Sequence, residues 1–340
     1  MEAIFIKLIF SIFISFLLTL YFVPLCKHLA VKLGILDMPD GKIKNHENPT
    51  PYLGGIAVYL GFLISLSLVY PLKNDFLFFL LVTTLLLFIG LIDDIVIIKP
   101  YQKFFGQCIA TFCFLKAGLL LKEPFVLNNY WSIPLSALWM LSVINAFNLV
   151  DVMDGLATSL AIYVTTSFLC IALLLSQYQV ALLLGSLLGA LCAFFYYNRP
   201  KASIYLGDSG SLFIGGFLAM IPFLLHLGTY NSYGFLAPLI ILAIPLLEVV
   251  TLVVIRSYKG IPFYQGSPDH FSLYLKRNGW SIKGILLYVT FLSFFLNIIA
   301  ILLLYDALSL SLAAFFALLF FCIWFSMLNV KCIKPSSSST

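Results

Sequence analysis

The stretch from Asn145 to Gly155, NAFNLVDVMDG, sets two amides and two carboxylates at the end of an otherwise apolar segment. An ionised carboxylate costs about 2.5–3.5 kcal/mol at a bilayer centre even on the lenient insertion scale, so these groups belong at an interface or in a wet cavity. Asp151 and Asp154 are spaced i, i+3, and Asn148 lies three residues earlier, so a helical backbone there would align all three on one face. Hard oxygen donors of this kind suit a magnesium ion that keeps several waters and shares phosphate oxygens with a substrate.

Two further acidic groups punctuate apolar runs. Asp93 and Asp94 close the segment GLIDDIVIIKP. Neighbouring residues on a helix point about 100° apart, so the pair cannot form one bidentate clamp. One could act as a base while the other orients a ligand or cation; a solvated helix end neutralised by Lys99 and Lys103 is the bland account. In YLGDSGSLFIGG, Tyr205 to Gly216, Asp208 and two serines sit between glycines before an apolar run. Glycines let a backbone approach a phosphate, and free amides at a helix start attract anions. The same residues also make ordinary helix caps. Of the two longest polar loops, Gly34 to Tyr52 carries His46 and several cations, and Arg256 to Lys283 carries Asp269 and His270. Glu248 falls midway along an apolar segment, which marks it as a cavity or interhelix group.

The elements that carry these groups follow from composition. Of 340 residues, 62% are hydrophobic and 10% charged. Soluble domains carry roughly 25% charged residues, and a soluble globule of this length could not hide so much apolar surface. The chain therefore reads as an all-α, polytopic integral membrane protein. Breaks at charged and Pro/Gly-rich points, with roughly 20 residues per span, give about eleven transmembrane helices, centred near residues 14, 62, 86, 112, 140, 166, 188, 220, 245, 292 and 318. Lys7 precedes a long apolar run with no small-residue cleavage site before Pro24, so the first segment is expected to be a span and not a removable signal. The seven cysteines are scattered, without metal-like pairing, and read as small buried hydrophobes. One transmembrane domain over 1–334 and a disordered Ser-rich tail over 335–340 complete the expected organisation; no internal repeat of the transporter kind is visible.

With the N-terminus outside, fifteen of the nineteen Lys and Arg residues fall on one side, and only Lys7, Lys73, Lys116 and Lys122 on the other. That asymmetry makes the first side, and the C-terminus, cytoplasmic. Asp37, Asp40, Asp93, Asp94, Asp151, Asp154, Asp208 and Asp269 land on the same side without having been used to assign it. A cytoplasm-facing active site is the simplest cause.

At this point the residues match a family. N-x-x-N-L-x-D-x-x-D-G at 145–155, D-D at 93–94, G-D-S-G-S at 207–211, P-T-P-x-x-G-G at 49–55 and the intramembrane Glu248 together resemble the polyprenyl-phosphate N-acetylhexosamine-1-phosphate transferases, over about residues 34–282. The resemblance implies an enzyme of the bacterial cytoplasmic membrane that passes a sugar 1-phosphate from a UDP-sugar to undecaprenyl phosphate and releases UMP, the first membrane step of a cell-envelope glycan pathway. It further implies magnesium, with manganese as a substitute, held by Asp208 and Asn148. Asp93 would deprotonate or position the lipid phosphate, with Asp94 and Asp151 in support. Lys44, His46, Asn145, Asp154, Ser209, Asp269 and His270 are the expected substrate contacts.

The expected partners are undecaprenyl phosphate, a UDP-N-acetylhexosamine and the lipid bilayer, with no nucleic acid and a homodimer left open. One departure concerns the last loop, where the family carries several histidines and this chain has only His270, followed by Phe271, Ser272, Leu273 and Tyr274. That counts against the muramoyl-pentapeptide branch, whereas D-M-P-D-G-K from Asp37 looks more like the N-acetylglucosamine branch. A different amino sugar would leave the acids unchanged and alter the 256–283 loop. A non-enzymatic lipid or ion transporter would instead place charges at mid-membrane between repeats, and here only Glu248 lies there.

Overall fold

The computed structural model describes residues 2–38, 49–70, 74–96, 98–121, 129–225, 227, 233–262 and 264–327. Its contacts fall into two compact units, Met1–His226 and Leu227–Thr340.

Among the described residues the first unit holds eight α-helices: α1 (Glu2–Leu33), α2 (Gly54–Val69), α3 (Asn74–Val96), α4 (Pro100–Lys116), α5 (Ser132–Val150), α6 (Leu156–Leu174), α7 (Tyr178–Asn198) and α8 (Gly207–Leu224). In α1 the buried residues Leu8, Ser11, Ser15, Thr19, Val23, Cys26 and Ala30 recur every three or four positions, giving one narrow stripe of mostly small side chains. Helices that lipid also surrounds are held by close packing and hydrogen bonds, not by water exclusion. Accordingly the Ser15 hydroxyl donates to the Ser186 carbonyl of α7 at 2.5 Å, and the Ser65 hydroxyl of α2 donates to the Ser11 carbonyl at 2.7 Å.

Helix α8 is the axis of this unit. Of its apolar window 78% is buried, against 22% for α1, so α8 is apolar all round because protein surrounds it and α1 because one side is left for lipid. Phe213 and Phe217 of α8 meet Tyr59 and Phe62 of α2 and Phe79 of α3, with ring centroids 5.0–5.8 Å apart for four of the pairs and edge-to-face geometry in three of them. The Trp139 indole of α5 donates to the Ala219 carbonyl at 2.9 Å. A two-residue antiparallel pair, Leu36–Asp37 with Thr50–Pro51, closes the base of the loop that precedes α2.

The second unit contains α9 (Ala237–Ile241), α10 (Ala243–Tyr258), α11 (Phe271–Arg277), α12 (Ile282–Leu304) and α13 (Leu310–Met327). The segment Gly234–Ile241 meets α10 at 64°. The cause is Pro245, which has no N–H to offer the carbonyl four residues back, at Ile241. Ser281 caps α12 through the Gly284 amide at 3.1 Å, and the Trp324 indole of α13 donates to Thr251 of α10 at 3.1 Å.

The molecule is thus an all-α polytopic membrane protein, and length and apolarity alone do not confirm the expected eleven spans. All eleven expected centres fall inside helices, yet among the described residues only seven helices are long and apolar enough to cross a bilayer, or eight if the bent pair is one span. The three remaining centres fall in α2, α4 and α13, helices of 16, 17 and 18 residues at the short end of the length that spans a bilayer.

Candidate active site

The α8 N-terminus is placed by main-chain contacts. The Gly54 and Gly55 amides donate to the Tyr205 and Leu206 carbonyls at 3.0 and 2.8 Å, and the Tyr205 amide donates back to Pro51 at 2.9 Å. A Cβ on Gly55 would stand 2.2 Å from the Gly210 nitrogen, and one on Gly90 of α3 would stand 2.2 Å from the Asp208 carbonyl oxygen. The P-T-P-x-x-G-G segment therefore serves as the seat on which G-D-S-G-S rests.

Onto this frame α3 brings its two aspartates, which take separate tasks as their 100° divergence requires. Asp94 accepts from the Asp208 amide at 2.7 Å and from the Ser209 amide at 3.0 Å. It satisfies two of the free N–H groups at the start of α8 and adds a negative charge at the positive end of its dipole. Asp93 accepts from the Ile98 amide at 2.9 Å, which closes the turn into α4, and its other oxygen lies 3.0 Å from the Lys103 ammonium.

Lys103 is the meeting point. Its Nζ is also 2.9 Å from Asp208 Oδ2 and donates to Asn148 Oδ1 at 3.2 Å. The Asn148 amide nitrogen in turn donates to Asp208 Oδ1 and, at 3.0 Å, to Ser211. Four helices, α3, α4, α5 and α8, thus contribute to one polar cluster at their ends. The Asp208 side chain remains 32% exposed, so the cluster has an open side.

Asp151 lies just beyond α5 and shares this acidic field. Burial, then the charges of Asp208, Asp94 and Asp154, push its carboxyl well above the usual carboxylate range, with Lys103 opposing. The expected stripe of Asn148, Asp151 and Asp154 does not form. The helix ends at Val150, and a turn through Gly155 at φ 74° re-aims the chain. Asp154 consequently accepts from the Lys201 and Ala202 amides, each at 3.1 Å, and braces the turn after α7.

Among the other sequence candidates, Asn145 is paired with Gln107 of α4. Its Nδ2 donates to Gln107 Oε1 at 2.8 Å and to the Leu141 carbonyl at 2.8 Å, so the amide joins α5 to α4 outside the acidic cluster. Ser209 reaches the cluster through its amide, with its side chain buried. Asp269 and His270 belong to the second unit. There Lys259 holds Asp269 at 2.6 Å, and His270 Nδ1 lies 2.9 Å from the buried Glu248, which also accepts from the Phe271 amide at 3.3 Å. Arg256 donates to Ser267 at 3.0 Å. Glu248 and Arg256 of α10, with Lys259 at its C-cap, thus hold the segment leading into α11. Lys44 and His46 lie outside the described residues. Gln107 was not singled out by sequence, Ser211 only as one of two serines beside Asp208, and Lys103 only as a general counter-charge; the one signal of Gln107 was polarity next to apolar runs.

Two carboxylates and one amide oxygen converge on a single cation, here an ammonium. This donor set suits magnesium, which takes one or two carboxylates and completes its shell with water and phosphate oxygens. Among the described residues no three His, Cys, Asp or Glu side chains converge as a closed metal cage.

Comparison with known proteins places this geometry in context. The sequence profile of glycosyl transferase family 4 matches residues 76–226, the stretch that contains the whole cluster. The chain is 26% identical over 328 residues, 93% of its length and 90% of the relative's, to a Bacillus subtilis (strain 168) protein named "Probable undecaprenyl-phosphate N-acetylglucosaminyl 1-phosphate transferase". It is 30% identical over 302 residues to the phospho-N-acetylmuramoyl-pentapeptide-transferase of Clostridium acetobutylicum, covering 80% of this chain and 91% of that one. It is 26% identical over 303 residues to the undecaprenyl-phosphate alpha-N-acetylglucosaminyl 1-phosphate transferase of Yersinia pestis, covering 84% and 81%.

Proposed function

The chain belongs to glycosyl transferase family 4, and on that premise we propose that it transfers N-acetylglucosamine 1-phosphate from UDP-N-acetylglucosamine to undecaprenyl phosphate. An oxygen of the lipid phosphate forms a bond to the sugar-linked phosphorus, the bond from that phosphorus to the bridging oxygen breaks, and UMP leaves. The observation that carries the reading is the convergence of Asp93, Asn148, Lys103 and Asp208 at one partly open point.

Both substrates are anionic, so positive charge must be concentrated where they meet. Asp208 and Asn148, with Asp93 beside them, would hold magnesium or manganese. Such an ion supplies a divalent charge that offsets the charge moving between phosphates. Asp93, tied to Ile98 by one oxygen, keeps the other for orienting the acceptor phosphate or taking its proton. A phosphate monoester titrates near pH 6, so that proton is present on only part of the lipid at neutral pH. Asp94 positions Asp208 by fixing the start of α8. Asp151, whose ionised form is disfavoured, adds a group that can carry a proton close to the phosphates. The face bearing these residues is assigned to the cytoplasm, with the N-terminus outside and the C-terminus inside, from the Lys/Arg asymmetry.

The 30% identity to a muramoyl-pentapeptide transferase favours a second reading with that donor. The test is UMP release by purified protein with magnesium, undecaprenyl phosphate and each of several UDP-sugars. UMP from UDP-N-acetylglucosamine is expected. UMP only from UDP-N-acetylmuramoyl-pentapeptide selects the second reading, and no UMP from any donor, beside an active relative, refutes both.

A further inference from the structure

The Lys103 ammonium has three protons to donate and meets three oxygens: Asp208 Oδ2 at 2.9 Å, Asp93 Oδ2 at 3.0 Å and Asn148 Oδ1 at 3.2 Å. Its hydrogen-bonding capacity is filled by groups from α3, α5 and α8. Asp208 and Asn148 are also the groups assigned above to a divalent ion, with Asp93 beside them, and the ion's bonds to oxygen would be about 2.0–2.1 Å. A cation at that distance and an ammonium on the same Asp208 and Asn148 oxygens would bring two positive centres into the space of one.

We propose that Lys103 is a displaceable resident cation: its ammonium holds Asp93, Asn148 and Asp208 together while no metal is bound, and leaves them when a divalent ion enters. The proposal rests on the magnesium reading. The metal-free cluster needs such a group, because Asp93, Asp94, Asp151 and Asp208 crowd one region and two of them share this lysine. Lysine suits the task better than arginine. It is a compact charge on a flexible four-carbon stem that can swing away, whereas a guanidinium fork would lock onto a carboxylate. Lys103 sits in the second turn of α4, whose start is fixed by Pro100 and by the Gln102 side chain accepting from the Lys99 amide at 3.0 Å. The stem is therefore anchored while its end is free to turn toward an incoming phosphate.

The test is binding of Mn2+ to EDTA-stripped protein, read from the electron paramagnetic resonance signal of the free ion, for wild type and Lys103→Met. Loss of the competing ammonium should tighten Mn2+ binding on the order of tenfold, while transfer activity falls. Unchanged or weaker binding by the variant would overturn the proposal. No Mn2+ binding by either protein would overturn the magnesium reading and the proposal with it. If Lys103→Met does not fold, the wild type decides: acetylation of Lys103, followed by mass spectrometry, should be slow in EDTA and several-fold faster with magnesium, with the exposed Lys99 as the unchanged reference. Equal or slower acetylation with magnesium would also overturn it.

Discussion

Asp94 separates positioning from chemistry, and Asp94→Asn tests the separation. The wild-type carboxylate receives the Asp208 and Ser209 amides at 2.7 and 3.0 Å. Hydrogen bonds to a charged acceptor contribute about 1.5–3 kcal/mol each, and a buried amide left facing another donor costs about 1–3 kcal/mol. Asparagine keeps one acceptor oxygen, so one bond survives in neutral form and the second amide meets an NH2 group. Part of this loss is offset because removing a charge relieves repulsion from Asp208 and Asp151. A net cost of about 2–4 kcal/mol is expected. If it appears wholly as misplacement of Asp208 in the transition state, kcat falls roughly 30- to 1000-fold. The apparent Tm should fall with it, because the same bonds hold the start of α8. The assays are kcat for UMP release at saturating magnesium and donor, and thermal unfolding in detergent. Wild-type kcat, or a loss as deep as that of Asp208→Asn with an unshifted Tm, would refute the assignment of Asp94 as a cap.

Gly90→Ala should push α3 from α8, because its Cβ would stand 2.2 Å from main-chain oxygen; activity should drop more than about tenfold at a cost of about 1–3 kcal/mol. Gly106→Ala, which meets only the Ile89 side chain at 3.0 Å, should stay near wild type in the same activity and Tm assays. For Asp151, the folded pKa lies above the unfolded value of about 3.9, so the folded state binds the proton more tightly and stability is lost as pH rises between the two values. Asp151→Asn cannot ionise. In EDTA its Tm should therefore match wild type near pH 4 and exceed it increasingly toward neutral pH, whereas a gap that ignores pH would contradict the shift. Glu248→Ala should destabilise by about 1–3 kcal/mol, since it leaves the buried His270 ring nitrogen and the Phe271 amide without their acceptor; denaturant titration followed by tryptophan fluorescence would expose a smaller effect.

How far the sequence speaks depends on what each residue type can do elsewhere. Asp93, Asp94 and Asp208 were legible because carboxylates in apolar segments have few tolerable locations, and Glu248 for the same reason. The difference between Asp93 and Asp94 was not, since only the tertiary approach of α8 decides which becomes a cap. Asn145 and Asp154 look in sequence like members of the site, yet one pairs with Gln107 and the other with the amides of Lys201 and Ala202. Amides and carboxylates serve packing and chemistry with the same atoms. Lys103 hid among cations that report topology. Apolarity finds α2, α4 and α13 without measuring them against bilayer thickness, so the span count stays unconfirmed where these helices are short.

The glycine contacts between α3, α8 and the start of α2 mean that the acidic cluster is indexed by backbone, tooth against tooth. Side chains around such a gear can drift while the mesh holds. A single inserted or deleted residue cannot be absorbed, because it turns the rest of a helix by about 100° and shifts it by 1.5 Å. One added apolar residue between Gly90 and Asp93 would leave every carboxylate in the chain, yet it would carry Asp93 into the place of Asp94 and set an apolar side chain where Asp93 now meets Lys103. For this enzyme the unit of tolerance is thus the substitution and not the indel, and variation in length belongs in the loops that join the helices.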